Sequence, residues 1–454
     1  MKELDLTQGS VPKVLLQFAV PFLIANVLQA LYGGADLFVV GQYDDSASVA
    51  AVAIGSQVMQ TITGIILGIT TGTTVLIAIA TGAKDNRKVA FTIGSSVWLF
   101  SITGVVLTLV MVLFHSRIAE LMHTPVEAMV DAKNYILVCS LGILFIVGYN
   151  VVCGILRGLG DSKTPLYFVG LACVINIVLD FMLVGYFHWG ATGAAIATVT
   201  AQGVSFGIAL WFLYRHGFHF DFSRKDIRLN RNLSKKILVL GAPIALQDAL
   251  INVSFLIITV IVNQMGVIAS ASLGVVEKII VFAMLPPMAI SSAVATMTAQ
   301  NYGAGLVKRM NKCLASGIGI ALVFGVSVCV YSQFLPETLT AFFTKDAAVV
   351  AMAADYLRGY SIDCIIVSFV FCINSYFSGQ GNSLFPMIHS LIATFLFRIP
   401  LSYWFSQIDS SSLFIMGFAP PISTVVSLLI CIWYLRYTQR KLYLRGTMMP
   451  AMSN

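Results

Sequence analysis

Twelve stretches of this 454-residue chain are apolar for about twenty residues or more, which is the length a helix needs to cross a bilayer. Inside lipid no water satisfies backbone N–H and C=O groups, so a single spanning segment must satisfy its own by winding into a helix. The runs predict helices over 13–40, 49–80, 90–114, 134–156, 165–187 and 190–214, then 236–262, 271–300, 313–335, 351–377, 384–406 and 412–435. Charged residues make up 10% of the chain, against about 25% in a soluble domain. Most of the surface therefore meets lipid. The expected fold is an all-α polytopic membrane protein.

Basic residues sort the connections into two sides. Lys84, Arg87, Lys88, Arg157, Lys163, Arg215, Arg224, Lys225, Arg228, Arg231, Lys235, Lys236, Lys308, Arg309 and Lys312 fall on one side, with Lys2, Lys13 and the tail residues Arg436, Arg440, Lys441 and Arg445. The opposite side carries Arg117, Lys133, Lys345 and, near a helix start, Arg358. Cytoplasmic loops carry the excess of lysine and arginine, so both termini are expected in the cytoplasm of a multi-pass plasma (inner) membrane protein. The start, MKELDLTQGSVPK, is polar and mixed in charge and does not read as a cleavable leader. The net charge of +7 sits mostly in these loops, where lipid headgroups and not nucleic acid are the expected partners.

The two halves repeat. Gly158-Leu159-Gly160-Asp161-Ser162 through Pro165 matches Gly379-Gln380-Gly381-Asn382-Ser383 through Pro386 at an offset of 221, as do Gly82-Ala83 with Gly303-Ala304 and Tyr135 with Tyr356. One residue further out, Pro21 matches Pro243 and Gln42 matches Gln264. Six helices return a repeat to its starting side, so the repeats run parallel, related by a pseudo-twofold along the membrane normal, with a ligand site expected between them. The predicted divisions are an N-terminal lobe over 1–214, a basic cytoplasmic linker over 215–235, a C-terminal lobe over 236–440 and a tail over 441–454.

Several chemistries find no support. There is no Gly-x-x-x-x-Gly-Lys-[Ser/Thr] phosphate loop, no Gly-x-Ser-x-Gly elbow and no Gly-x-Gly-x-x-Gly fingerprint. The eight cysteines lie almost wholly in apolar runs without a Cys-x-x-Cys pair, and the six histidines show no ligand spacing. No enzyme, no cofactor and no structural metal is expected. Transport by such a chain draws on an ion gradient.

Asp36 lies inside the first span, with no lysine or arginine between Lys13 and Lys84. An acid at mid-membrane costs roughly 2.5–3.5 kcal/mol on insertion scales, so such groups usually mark an ion or substrate path. Asn176 and Asp180, four positions apart, share one face of the fifth span, and Thr198 follows in the small-residue run of the sixth. Tyr32 lies one turn before Asp36. Two carboxylates, an amide oxygen and a hydroxyl make an oxygen cage for Na+ or a holder for H+; apart from such a coupling ion, no metal is expected. Gly33-Gly34, with Pro21 upstream, makes the first span bendable. Gly64, Gly68 and Gly72 on the second span favour helix packing.

The second half lacks this set. Asn176 corresponds there to Phe397 or Arg398, Asp180 to Leu401 or Ser402, and Asp36 to Ile257 or Ile258. That half offers Asp248, Glu277 beside Lys278, Asp363 and Arg398 as a mixed-charge cavity wall.

Taken together, AVPFLIANVLQALYGGADLFVVGQ, GILRGLGDSKTPL, NIVLDFMLVGYFHWGATGAAIATVTAQ, GAPIALQD and MLPPMAISSAVATMTAQNYGAG resemble the multidrug and toxic compound extrusion (MATE) family across nearly the whole chain. The resemblance implies twelve helices in two six-helix lobes, a central cavity, and export of organic cations against H+ or Na+. It is similar to the prokaryotic branch whose cation site lies in the N-terminal lobe, which maps onto Asp36, Asn176, Asp180 and Thr198, with Tyr32 and Asn150 as neighbours. Another branch uses an acid on the tenth helix; Asp363 is on that helix but one turn displaced. The expected partners are amphipathic cationic small molecules and lipids, and the expected state is a monomer. A related exporter or flippase of an anionic lipid-linked or metabolic substrate is the competing reading. It would want several arginines, whereas Arg398 and Lys278 are the basic residues at mid-span, against Asp36, Asp180, Asp248, Glu277 and Asp363. A passive channel or membrane enzyme has no motif behind it.

Overall fold

The structure, a computed structural model, describes residues 4–408 and 412–447. Lys2 and residues 448–454 of the expected tail lie outside them. Fifteen helices and no strand occur among the described residues. In the first half these are α1 (Val11–Tyr43), α2 (Ser46–Gly82), α3 (Asn86–Leu121), α4 (Met129–Leu141), α5 (Ile143–Leu159), α6 (Lys163–Asp180) and α7 (Gly190–His216). The second half has α8 (Arg231–Asn263), α9 (Val267–Gly303), α10 (Val307–Phe334), α11 (Pro336–Ala341), α12 (Ala347–Gly379), α13 (Leu384–Ile392), α14 (Ile399–Ile408) and α15 (Ala419–Thr447).

Every expected span but the fourth coincides with a single spanning helix, and most helices run several residues past the apolar window. Caps explain part of the overrun. The Asp45 carboxylate accepts from Ser48 N at 2.9 Å and starts α2, and Asp85 accepts from Lys88 N at 3.0 Å and starts α3. Gly160, at φ +98°, ends α5 in the left-handed conformation that glycine adopts without strain. The fourth span differs from expectation. It is two helices, α4 and α5, bent by 49° about Gly142, where a side chain would press on Val199 at 2.6 Å. Two further irregularities are the wide π turns at Phe181–Tyr186, directly after α6, and Ala393–Arg398, joining α13 to α14. The backbone bond from Phe187 N to Met182 O, at 3.0 Å, has the five-residue reach of a π turn.

The described residues group into two compact units: residues 1–249, 296–311 and 379–381, and the remainder. Small residues explain why the first unit reaches beyond α7. Gly68 on α2 lies against the Ala245 backbone of α8, 2.6 Å from where a Cβ would stand, and Gly72 packs on Ile237 and Gly241. This is the packing role expected of the α2 glycines, although Gly64 faces open space. A Cβ on Gly82 would overlap the Gln300 carbonyl, and one on Gly303 the Ile79 carbonyl. The offset of 221 makes Ile79 the counterpart of Gln300 and Gly82 that of Gly303. These contacts are therefore reciprocal, as a local twofold between α2 and the end of α9 requires.

The same unit holds the first described residues. Arg309 donates to the carbonyls of Gly9 at 2.6 Å, Gln8 at 2.5 Å and Leu6 at 3.4 Å, and Asn301 Nδ2 donates to Leu6 at 3.2 Å. Leu6 is wholly buried. The segment between α7 and α8 is also pinned: Trp98 Nε1 donates to Ile227 O at 3.1 Å, and Phe218, Phe220 and Phe222 pack on the apolar core. Among the sparse basic residues of the opposite connections, Arg117 and Lys133 pair with Glu120, and Arg358 pairs with Glu337 and Asp355.

Candidate functional site

Four helices of the first unit each present two polar side chains four residues apart, and all four pairs meet. α1 contributes Tyr32 and Asp36, α4 Tyr135 and Cys139, α6 Asn176 and Asp180, and α7 Thr198 and Gln202. A separation of four stacks side chains on one helical face. α1 passes through Gly33 and Gly34 as one continuous helix, with open space beside both glycines. Asp180 is the last residue of α6 before the π turn.

The polar chain runs across three helices. Asn176 Nδ2 donates to Thr198 Oγ1 at 3.5 Å, and Thr198 Oγ1 donates to Asp36 Oδ2 at 3.1 Å. The Asp180 carboxyl abuts that of Asp36. Asp36 is 3% exposed, and Asn176 and Asp180 are fully buried. The Tyr32 hydroxyl lies beside Thr198 and Gln202, and Tyr135 donates to or accepts from Ser56 Oγ at 3.0 Å.

What remains unsatisfied decides the chemistry. Asp36 Oδ1, Asn176 Oδ1, both carboxyl oxygens of Asp180 and Gln202 Oε1 are buried without a donor. Every one is an acceptor. Leaving a buried polar atom unpaired costs about 1–3 kcal/mol, and more for a charged one. A site with surplus acceptors and no surplus donor is relieved by a small cation or by protons and not by an anion. These oxygens fit the hard, oxygen-preferring chemistry of a monovalent cation, as they fit H+.

The four principal residues expected from the sequence thus come together, with Tyr32 beside them. Asn150 is buried, but its amide donates to the Ile146 carbonyl of its own helix at 2.7 Å. Gln202, Tyr135 and Cys139 were not expected. Gln202 was readable as the partner of Thr198 at a spacing of four; Tyr135 and Cys139 share that spacing, but no charge draws attention to them. Of the second-half residues, Arg398 lies over the Phe255 ring at 4.4 Å, with Glu277 and Asp363 in its field. Lys278 is exposed, and Asp248 is exposed on the part of α8 that belongs to the first unit.

The MatE family model matches this chain twice, over residues 21–182 and 243–404, one match in each repeat. A probable multidrug resistance protein, YpnP of Bacillus subtilis strain 168, is 29% identical over 407 residues, covering 89% of this chain and 91% of that protein. The probable multidrug resistance protein NorM of Thermotoga maritima is 28% identical over 402 residues, covering 86% of this chain and 85% of its own length. Among solved structures, a MOP superfamily transporter from Pyrococcus furiosus superposes with a TM-score of 0.91 over 97% of this chain and 99% of that one, at 23% identity, which supports the fold alone. The two matched segments, the paired repeats and the twelve spans lead to one assignment: the chain belongs to the MatE family and is a multi-pass membrane transporter, not an enzyme.

Proposed function

We propose that this protein is an antiporter that exports amphipathic organic cations across the plasma membrane, driven by inward movement of H+ or Na+ through the Asp36–Asp180 site. The observation that carries the reading is the acceptor-only cage on α1, α6 and α7, five of whose buried oxygens have no donor. Loading a cation removes the cost of holding two carboxylates side by side in an apolar surround. An arrangement of α1, α6 and α7 that parts these oxygens binds the ion less tightly than one that gathers them, and that difference in affinity is the requirement for an ion to shift a conformational equilibrium. Alternating access follows: ion loading and substrate loading each favour a different state. Both relatives named above are described as multidrug resistance proteins, in keeping with a broad apolar substrate range. The basic residues on the terminal side support cytoplasmic termini, and no feature of the site calls for a second copy of the chain.

The test is uphill efflux of a fluorescent organic cation from proteoliposomes under a proton or a sodium gradient imposed separately. The wild-type protein is expected to respond to at least one gradient, and Asp36→Asn to neither. An Asp36→Asn protein that pumps at the wild-type rate would refute the mechanism.

A further inference from the structure

The outer face of α3 begins with two arginines that share one aromatic ring. Arg87, Phe91, Trp98, Ile102, Val105 and Leu109 follow one another at helical spacing, and from Trp98 onward each is exposed. Of the eleven unbroken spans α3 is the least enclosed, with 17% of its apolar window buried. Near its start, on the side of the basic connections, the linker crosses it. Gly94 admits the crossing: a Cβ there would overlap the Asp226 carbonyl oxygen and stand 3.1 Å from Ile227 Cα. The Trp98 indole donates to Ile227 O at 3.1 Å. Arg228, the next residue, lies over the Phe91 ring with its guanidinium carbon 5.0 Å from the centroid, and Arg87 lies over the same ring at 5.6 Å.

Among the described residues neither guanidinium forms an ion pair. The acids nearest in sequence are engaged elsewhere: Asp85 accepts from Lys88 N at 3.0 Å, and Asp226 from Ser223 N at 2.8 Å and Ser223 Oγ at 3.1 Å. Two like charges held on one ring repel, and the face of a single phenyl offsets only part of that. An anion with two acceptor oxygens satisfies both guanidinium forks at once, and a phosphodiester is such an anion. The exposed apolar stripe from Trp98 to Leu109 adds a bed for acyl chains directly beneath, and an exposed tryptophan at a span's end marks the headgroup level. A water-soluble phosphate would use the arginines and leave the stripe idle.

We propose that Arg87 and Arg228, set by Phe91 above the α3 stripe, bind one anionic glycerophospholipid through its phosphodiester and so fasten the linker to α3. Anionic lipids populate the leaflet on the side proposed to be cytoplasmic, where both arginines lie. The site differs from the general attraction of basic loops for such a leaflet in that two particular residues hold one lipid. It stands apart from the antiport reading and does not depend on it.

Native mass spectrometry of the purified, delipidated full-length protein in neutral detergent tests it, because each bound lipid is counted by its mass. The probes are dioctanoyl phosphatidylglycerol, dioctanoyl phosphatidylethanolamine, whose ammonium cancels the charge of the same phosphodiester, and glycerol 3-phosphate. The wild type is expected to take one phosphatidylglycerol about tenfold or more tighter than phosphatidylethanolamine, and to take no glycerol 3-phosphate. Arg87→Gln and Arg228→Gln should each abolish that preference. Arg228→Lys, which keeps the charge without the fork, should retain part of it and guards against a folding defect. Lys235→Gln, which removes one positive charge elsewhere on the same side, should leave it within about twofold. Equal loss in Lys235→Gln and Arg228→Gln would show diffuse attraction and overturn the site. So would an undiminished preference in both arginine-to-glutamine variants, no preference in the wild type, or glycerol 3-phosphate bound as tightly as the lipid.

Discussion

Adding a single methyl group at Gly303 tests the helix crossing between α2 and α9. A Cβ there would overlap the Ile79 carbonyl oxygen and stand 2.8 Å from its carbon and 3.0 Å from Ala83 N. All three are backbone atoms, so no rotamer change relieves the clash. Carbon atoms in good contact sit about 3.5–4.0 Å apart, so the two helices must separate by on the order of 1 Å along the crossing. Overpacking of this kind costs about 1–3 kcal/mol. The better helix propensity of alanine returns up to about 1 kcal/mol, leaving a net loss near 1–2 kcal/mol for Gly303→Ala. The controls are Gly274→Ala on α9 and Gly319→Ala on α10, where nothing lies within 4 Å of the new carbon. They are expected to be neutral or slightly stabilising. All eight cysteines are buried and none is in a disulfide among the described residues, so a thiol-reactive fluorophore added during a thermal ramp reports unfolding directly. Gly303→Ala should melt several degrees below wild type, and the controls at or above it. Gly82→Ala should mirror it, and the double variant should lose less than the sum, because one separation relieves both clashes. A Gly303→Ala protein that melts with the controls would refute the crossing.

Three other outcomes follow from contacts already described. Thr198→Val removes the donor to Asp36 and the acceptor for Asn176, and with them the hydroxyl oxygen available to a bound Na+; a contact of this kind to a charged group contributes about 1.5–3 kcal/mol, so Na+ affinity should fall at least tenfold in a binding titration. Thr198→Ser keeps the hydroxyl and should stay near wild type; equal loss in both would show that the methyl, not the hydroxyl, matters. Arg309→Ala removes the donor to three carbonyls of the N-terminal strap, and amide exchange over residues 4–10 should quicken about tenfold or more. Unchanged exchange there would mean that burial of Leu6 alone holds the segment.

The legible part of this molecule was the part dictated by lipid. A bilayer penalises any unpaired backbone group and any stray charge, so apolar length gave all twelve spans and isolated acids gave Asp36 and Asp180. The spacing of four between Asn176 and Asp180 carried the site from one helix to a face, and Thr198 was close by in sequence. What was not legible depends on neighbours far along the chain. Gly142 reads as one glycine among 36 until Val199 is seen against it. The π turns at Phe181–Tyr186 and Ala393–Arg398 leave no composition signal, because an extra residue in a turn changes register and not hydrophobicity. Tyr135 and Cys139 look like ordinary core residues. The strap tied by Arg309 joins positions about three hundred residues apart, and a lone arginine at a helix start looks like any other basic loop residue. The α8 residues up to Ala249 fall in the first unit because Gly68, Gly72 and Gly241 allow backbone contact, which pairwise packing decides and single-sequence pattern does not.

The central claim is that Asp36 and Asp180 serve one ion together. The direct measurement is equilibrium binding of radioactive Na+, with proton release followed in the same purified samples, for wild type, Asp36→Asn, Asp180→Asn and the double variant. A shared cage predicts one ion per chain in the wild type, whether sodium or a proton, lost in either single variant and no worse in the double. Two ions per chain, with each single variant losing one and the double losing both, would show two separate sites and contradict the account.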